Sequence, residues 1–170
     1  MSDDLIPWER VAQRGRRAMA KPRLLVDLRR CIGCHACSVA CKVEHNVPLG
    51  VFRMRVRWLP RPDRPGISFV PVFDPNQCDL GASRGEVDLD PACVSSCPTA
   101  ALRFGDAADP EAPVVREAAR HGAKPLPGAV DHASPSPLEI TYIGLEPWHP
   151  EKLNAGVPLS AEDEDIIYEQ

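Results

Sequence analysis

The chain has 170 residues, room for one domain with arms, and only 5% of them are aromatic, which excludes a large aromatic-rich core. Nineteen prolines and 11 glycines mark much of it as loop, so something besides apolar burial has to order it, and its seven cysteines suggest metal ligation. The net charge of −4, with no basic patch interleaved with aromatics, argues against a nucleic-acid surface.

The charge is unevenly spread. Arg10 to Arg30 holds eight bases and one acid, and Glu139 to Gln170 holds eight acids and one base. These segments read either as solvated arms or as arms that dock on a larger partner. The N-terminus begins acidic and has no apolar run after Arg16 and Arg17, so no signal peptide is expected. No segment approaches the roughly 20 apolar residues that span a bilayer. The expected location is therefore cytoplasmic, or membrane-associated through a partner, without direct membrane insertion.

In chain order, residues 1–21 read as an arm, helical from Trp8 to Ala20. PRLLVDL (22–28) is a short apolar run and predicts a strand. CIGCHACSVACKVEHN (31–46) predicts a loop that turns helical from about Ala36. VFRMRVRWLP (51–60) alternates, with Phe52, Met54, Val56 and Trp58 on one face and Arg53, Arg55 and Arg57 on the other, as a half-buried strand does; the arginine face reads as solvated, or else as meeting an acidic partner or tuning a nearby anionic centre. RPDRPG turns the chain, and GISFVPVF (66–73) returns as the second strand of a hairpin, with Pro71 suited to an edge. DPACVSSCPTAALRFGD (90–106) predicts a short helix carrying two cysteines, broken at Pro98, then a strand. A helix is expected over 110–122, a loop over 124–137, a strand over 138–144 and an acidic tail over 146–170.

Cys31, Cys34, Cys37 and Cys41 have the spacing C-x2-C-x2-C-x3-C, the bacterial ferredoxin pattern. In that pattern three thiolates surround one four-iron cubane and the fourth, on a helix, ligates the other cluster. Cys93-x3-Cys97-Pro98 repeats the end of the run. By the same swap, Cys31, Cys34, Cys37 and Cys97 would hold cluster one, and Cys41, Cys78 and Cys93 would hold cluster two. An odd cysteine count speaks against a disulfide framework, and structural zinc sites use two C-x2-C pairs or histidines at set spacing. His35 and His45 read as loop residues near the clusters, able to donate hydrogen bonds rather than to ligate.

RCIGCHACSVACKVEHNVPLGVFRMRV, QCDLGASRGEVDLDPACVSSCPTAALRFGD and DPEAPVVREAARHGAKPL resemble the iron–sulfur electron-transfer subunits of the dimethyl sulfoxide reductase family of molybdenum enzymes, over about residues 22–145. The resemblance implies an α+β, ferredoxin-like dicluster domain with a β-hairpin insertion at about 51–73 and extended N- and C-terminal arms. It also implies a pterin-containing catalytic subunit as partner, and beyond it a membrane quinone-reactive subunit or a soluble carrier. Family members usually hold four clusters in four cysteine blocks. Here the two middle blocks are absent, since VPVFDPNQC runs straight through, and Cys78-Asp79-Leu80-Gly81 has glycine where the family has its second cysteine.

Glycine cannot ligate, so three outcomes stay open for cluster two. It becomes a three-iron (3Fe-4S) cluster, the expected outcome. It keeps four irons through Asp79, Ser83, Asp88, Asp90, water or a partner residue. Or it is absent. The chain is expected to be an electron-transport subunit of an oxidoreductase complex and not a catalyst by itself, because no nucleophile–base set and no phosphate-cradling glycine loop is present. Two other classes stay open: a catalytic iron–sulfur protein with an open iron at Gly81, and a structural adaptor that keeps one cluster or none.

Overall fold

The computed structural model describes residues 19–74, 77–80, 90–126 and 139–154. Among these, strands and helices alternate irregularly in an α+β fold: β1 (Pro22–Asp27), α1 (Ala36–Glu44), β2 (Met54–Pro60), β3 (Ile67–Phe73), α2 (Ala92–Ser95), β4 (Leu102–Asp106), α3 (Pro113–Arg120), β5 (Glu139–Ile143) and α4 (Trp148–Asn154). The arm up to residue 18 and most of the 124–137 loop lie outside the described residues.

β1 reads as a continuous apolar run because it is the middle strand of a sheet ordered β4-β1-β5 and is covered on both faces. It pairs antiparallel with β4 and parallel with β5. Leu24 and Val26 face a core shared with Met54, Val56, Val70, Phe73, Leu102 and Tyr142. Leu25 faces the other way, into a smaller core with Val114, Ala118 and Ile143. α3 starts with Pro113, whose missing N–H costs nothing at a first helical position. The parallel β1–β5 pairing brings the two oppositely charged segments together: Arg23 bonds Glu139, and Lys21 lies 3.5 Å from the same carboxylate.

β2 and β3 form the expected antiparallel hairpin, in register from Met54–Phe73 to Pro60–Ile67. Tyr142 ties it to the sheet by donating its hydroxyl to the Pro71 carbonyl at 3.0 Å in the core. The expected face alternation is only half right. Met54 and Val56 are buried, but so is Arg55, whose guanidinium lies 4.1 Å from the Phe52 ring centroid. Trp58 is 46% exposed, held by an edge contact with Phe69. A two-stranded sheet twisting over a small core buries Met54, Arg55 and Val56 in succession at one end, while at the other Leu59 is buried and Trp58 exposed, so strict alternation fails.

Two other differences stand out. Cys93 lies on α2, but Cys97 follows that helix, past its cap at Ser96. The stretch from 146, expected as a tail, opens with α4, which packs His149 fully into the hairpin. His149 Nδ1 accepts the Glu146 backbone N–H at 2.8 Å, which leaves the proton of the neutral ring on Nε2, 2.8 Å from Ser68 Oγ. Arg61 and Glu146 pair across the same junction at 3.0 Å.

Burial pushes the His149 pKa below its ordinary value, with Arg61 adding and Glu146 opposing. The unfolded chain therefore binds this proton more readily, and the contribution of His149 to stability is complete above its unfolded pKa of about 6.5 and lost as pH falls below it. The urea midpoint of the purified chain should drop more between pH 7 and pH 5 than that of His149→Ala. At pH 7 the variant should be less stable by about 1–3 kcal/mol, the cost of two buried polar groups left without partners.

Candidate metal centres

The cysteines divide between two cavities. Cys31, Cys34, Cys37 and Cys97 line the first, beside His35, Val56 and Thr99. Cys41, Cys78 and Cys93 line the second, beside His45, Arg53 and Asp79. The cavities are of like size, about 310 and 340 Å³ of open space with their mouths included. All seven cysteines are free.

Helix α1 serves both cavities, with Cys37 in its first turn and Cys41 one turn later, a rise of about 6 Å. α2 packs against α1 and brings Cys93 to the second cavity. The chain then crosses back to deliver Cys97 to the first. Two bonds hold that crossing: the Asp27 N–H donates to the Ala101 carbonyl at 2.7 Å, and Arg30 Nε donates to the Thr99 carbonyl at 2.8 Å. Arg29, bonded to the buried Asp27 carboxylate at 2.8 Å, holds that carboxyl below its usual pKa range and fixes the start of the cysteine loop.

The backbone beside these cysteines is unusual. Among the described non-glycine residues with positive φ, His35 (58°), Leu80 (52°) and Ala100 (49°) all sit within three residues of a cysteine. Such left-handed residues are uncommon and cluster at functional sites. Here they turn N–H groups towards sulfur: Leu80 towards Cys78, and Ala101 to Cys97 Sγ at 3.3 Å. Gly33, at φ +71°, turns its N–H towards Cys31.

The thiol electrostatics follow. Burial pushes Cys37 and Cys93 up to about 12 and Cys78 up to about 11, and neighbouring thiols add to each. Burial also raises Cys31 and Cys41. Cys97 is half-buried, and N–H groups of Leu102, Ala101 and Thr99 and the Thr99 hydroxyl outweigh the effect of burial, so its thiol lies below its ordinary value. Thiols grouped in apolar cavities stay protonated unless a cation is bound among them, and a bound metal deprotonates its ligands.

Two observations fit iron–sulfur clusters at these cavities. First, the donors are thiols, with the N–H groups that cluster sulfurs accept from. Second, Arg53 lines the second cavity with its side chain only 16% exposed, and its Nε–H is buried without an acceptor. A cluster sulfide is such an acceptor.

The other residues singled out from sequence fall as follows. His35 lines the first cavity and accepts the Trp58 indole N–H at 3.0 Å. His45 and Asp79 line the second, and Asp79 is bonded to Arg53 at 2.9 Å. Asp90 is exposed and not among the residues lining the cavity. Gly81, Ser83 and Asp88 lie outside the described residues. Sequence reasoning missed Thr99 as a site residue and held Arg53 only as one of three arginines that could tune a nearby anionic centre. Arg53 was hidden in an arginine alternation that in fact begins one residue before β2, and the only signal for Thr99 was a hydroxyl two residues after a cysteine.

A small α+β fold with two cysteine-lined cavities defines a candidate iron–sulfur protein. No protein-family model matches the chain. It is 39% identical over 75 residues to the B subunit of tetrathionate reductase from Archaeoglobus fulgidus, covering 44% of this chain and 30% of that protein. It is 26% identical to the B subunit of polysulfide reductase from Wolinella succinogenes, covering 54% of this chain and 79% of that protein, and 34% identical over 97 residues to the electron transport protein HydN of Escherichia coli, covering 56% and 50%. The chain is thus similar, over part of its length, to subunits of several reductases and to an electron transport protein. It spans less than a third of the length of the tetrathionate reductase subunits that it matches. The polysulfide reductase match runs over 155 positions while taking up only 54% of this chain, so that relative carries inserted residues inside the matched stretch.

Gly33 has a positive φ, and a Cβ there would lie 2.4 Å from the Phe69 ring. Gly33→Ala should therefore destabilise the chain by at least about 1–2 kcal/mol, the backbone cost alone. A lowered urea midpoint by circular dichroism checks this.

Proposed function

We propose that the chain is the electron-transfer subunit of a reductase complex and folds as a shortened, ferredoxin-like dicluster domain over residues 22–145. Cys31, Cys34, Cys37 and Cys97 would hold a four-iron cluster, and Cys41, Cys78 and Cys93 a three-iron cluster. The observation that carries this is the division of the seven cysteines, four and three, between two like-sized cavities. The relatives support the role, since iron–sulfur subunits of reductases and an electron transport protein are among the proteins that the chain matches.

Bound clusters supply one-electron exchange; the chain's own residues position and tune. N–H groups aimed at Cys31, Cys78 and Cys97 and the positive charge of Arg53 act on two levers of reduction potential, hydrogen bonding to sulfur and local charge. Cys34 and Ile32 are exposed, the latter by 57%, so the first centre is the one that a partner would meet. That partner would be a catalytic subunit with a molybdenum or tungsten pterin, and the further carrier a membrane quinone-reactive subunit or a soluble protein. No helix among the described residues is long and apolar enough to cross a membrane, in keeping with attachment through a partner.

Low-temperature EPR of the full chain, purified anaerobically, tests this. The oxidised sample should show a three-iron signal, which dithionite reduction abolishes while a four-iron signal appears. Cys97→Ala should remove the four-iron signal and spare the other, and Cys41→Ala should do the reverse. A lone four-iron signal would favour a structural adaptor, and a protein without iron would refute the proposal.

A further inference from the structure

The second cavity holds an oxygen donor next to its three thiols. Asp79 follows Cys78 directly and lines the cavity with Cys41, Cys78 and Cys93. A carboxylate there is a competent iron ligand, and it lies on the segment from which a fourth cysteine is missing. Yet its Oδ1 is taken up by Arg53 Nη2 at 2.9 Å, and Arg53 is firmly placed. Its side chain is 16% exposed against 31% for Asp79, and it immediately precedes β2, the strand whose Met54 is buried in the main core. Charge-assisted bonds of this kind are roughly twice as strong as neutral ones.

We propose that Arg53 sets the iron count of the second centre by holding the Asp79 carboxylate away from the fourth corner. This rests on the two-cluster reading above. With the pair intact the centre keeps three irons. With the guanidinium gone, Asp79 turns into the cavity and completes a four-iron cluster. The conversion balances. Dithionite gives one electron to the three-iron core, making it neutral. The reduced core takes up one Fe²⁺ as a 2+ four-iron core, with no further electron transferred. The incoming iron forms bonds to three existing sulfides and one Fe–O bond to Asp79. Arg53 is thus a positioning residue, and the pair separates a state with an open corner from one without.

The test uses the full chain, purified anaerobically, treated with dithionite and excess ferrous ion, then desalted and mildly reoxidised so that any three-iron core is EPR-visible. Iron per chain and low-temperature EPR are read for the wild type, Arg53→Met, Arg53→Lys, Asp79→Asn and Arg53→Met/Asp79→Asn. Arg53→Met should rise from about seven to about eight irons per chain, four plus three becoming four plus four, and lose the three-iron signal. Arg53→Lys keeps the charge and should stay at three irons in this centre, an outcome that a merely structural role for Arg53 would not produce. Asp79→Asn should leave the wild-type three-iron signal in place, which holds as a test even if Arg53→Met does not fold. The double variant should not take up the fourth iron.

A four-iron second centre in the wild type that falls to three in Asp79→Asn would overturn the inference, because Asp79 would then already be a ligand. So would iron uptake that persists in the double variant, which would assign the fourth ligand to His45 or water. An Arg53→Met that stays at three irons also overturns it. A wild type with no second cluster at all would overturn the two-cluster reading itself, and so the two failures are told apart.

Discussion

Seven thiols reach two cavities from three stretches of chain, and neither cavity is closed by one stretch alone. The loop of Cys31 to Cys37 needs Cys97, more than fifty residues away. Cys78 and Cys93 need Cys41 from α1. Each long connection therefore has to return to where it began, and the β1–β4 pairing, the Asp27–Ala101 bond and the α1–α2 contact all serve that crossing. Without it the described residues have one three-stranded sheet and one hairpin, in a chain with few aromatic residues, a modest core.

The two cavities differ in what surrounds their sulfurs. The first has a dense set of N–H donors and the Thr99 hydroxyl at Cys97, and an edge open to solvent at Cys34. The second has no exposed thiol, and its polar neighbours include a charged pair, Arg53 and Asp79. Hydrogen-bonded sulfur at a solvent-facing edge and sulfur beside an ion pair are different environments for the same kind of centre.

Most of the framework was legible in the sequence, for local reasons. β1 was visible as an apolar run bounded by Pro22, and the hairpin as two strand-like runs around RPDRPG. The start of α1 at Ala36 followed from the cysteine loop, and the grouping of cysteines followed from their spacing. What stayed hidden depends on contacts between distant residues. No periodicity announces that Arg55 is buried against Phe52, or that Trp58 sits half in solvent because Phe69 and His35 hold it there. α4 is short and its sequence, WHPEKLN, is polar. It orders by lodging His149 against Ser68, a partner that chain position alone could not name.

The contact between Gly33 and Phe69 has a consequence for how such a protein can change over time. The ring occupies the space that any side chain at position 33 would need. Position 33 belongs to the cysteine loop and position 69 to the hairpin, so drift in one is not free of the other. An ancestor with a small residue at 69 could have tolerated alanine at 33, whereas one with phenylalanine could not. The order of mutations is thereby constrained: the ring has to shrink before the glycine can be replaced. A large ring at 69 thus holds the cysteine loop to its present shape, although that residue is not among those lining either cavity.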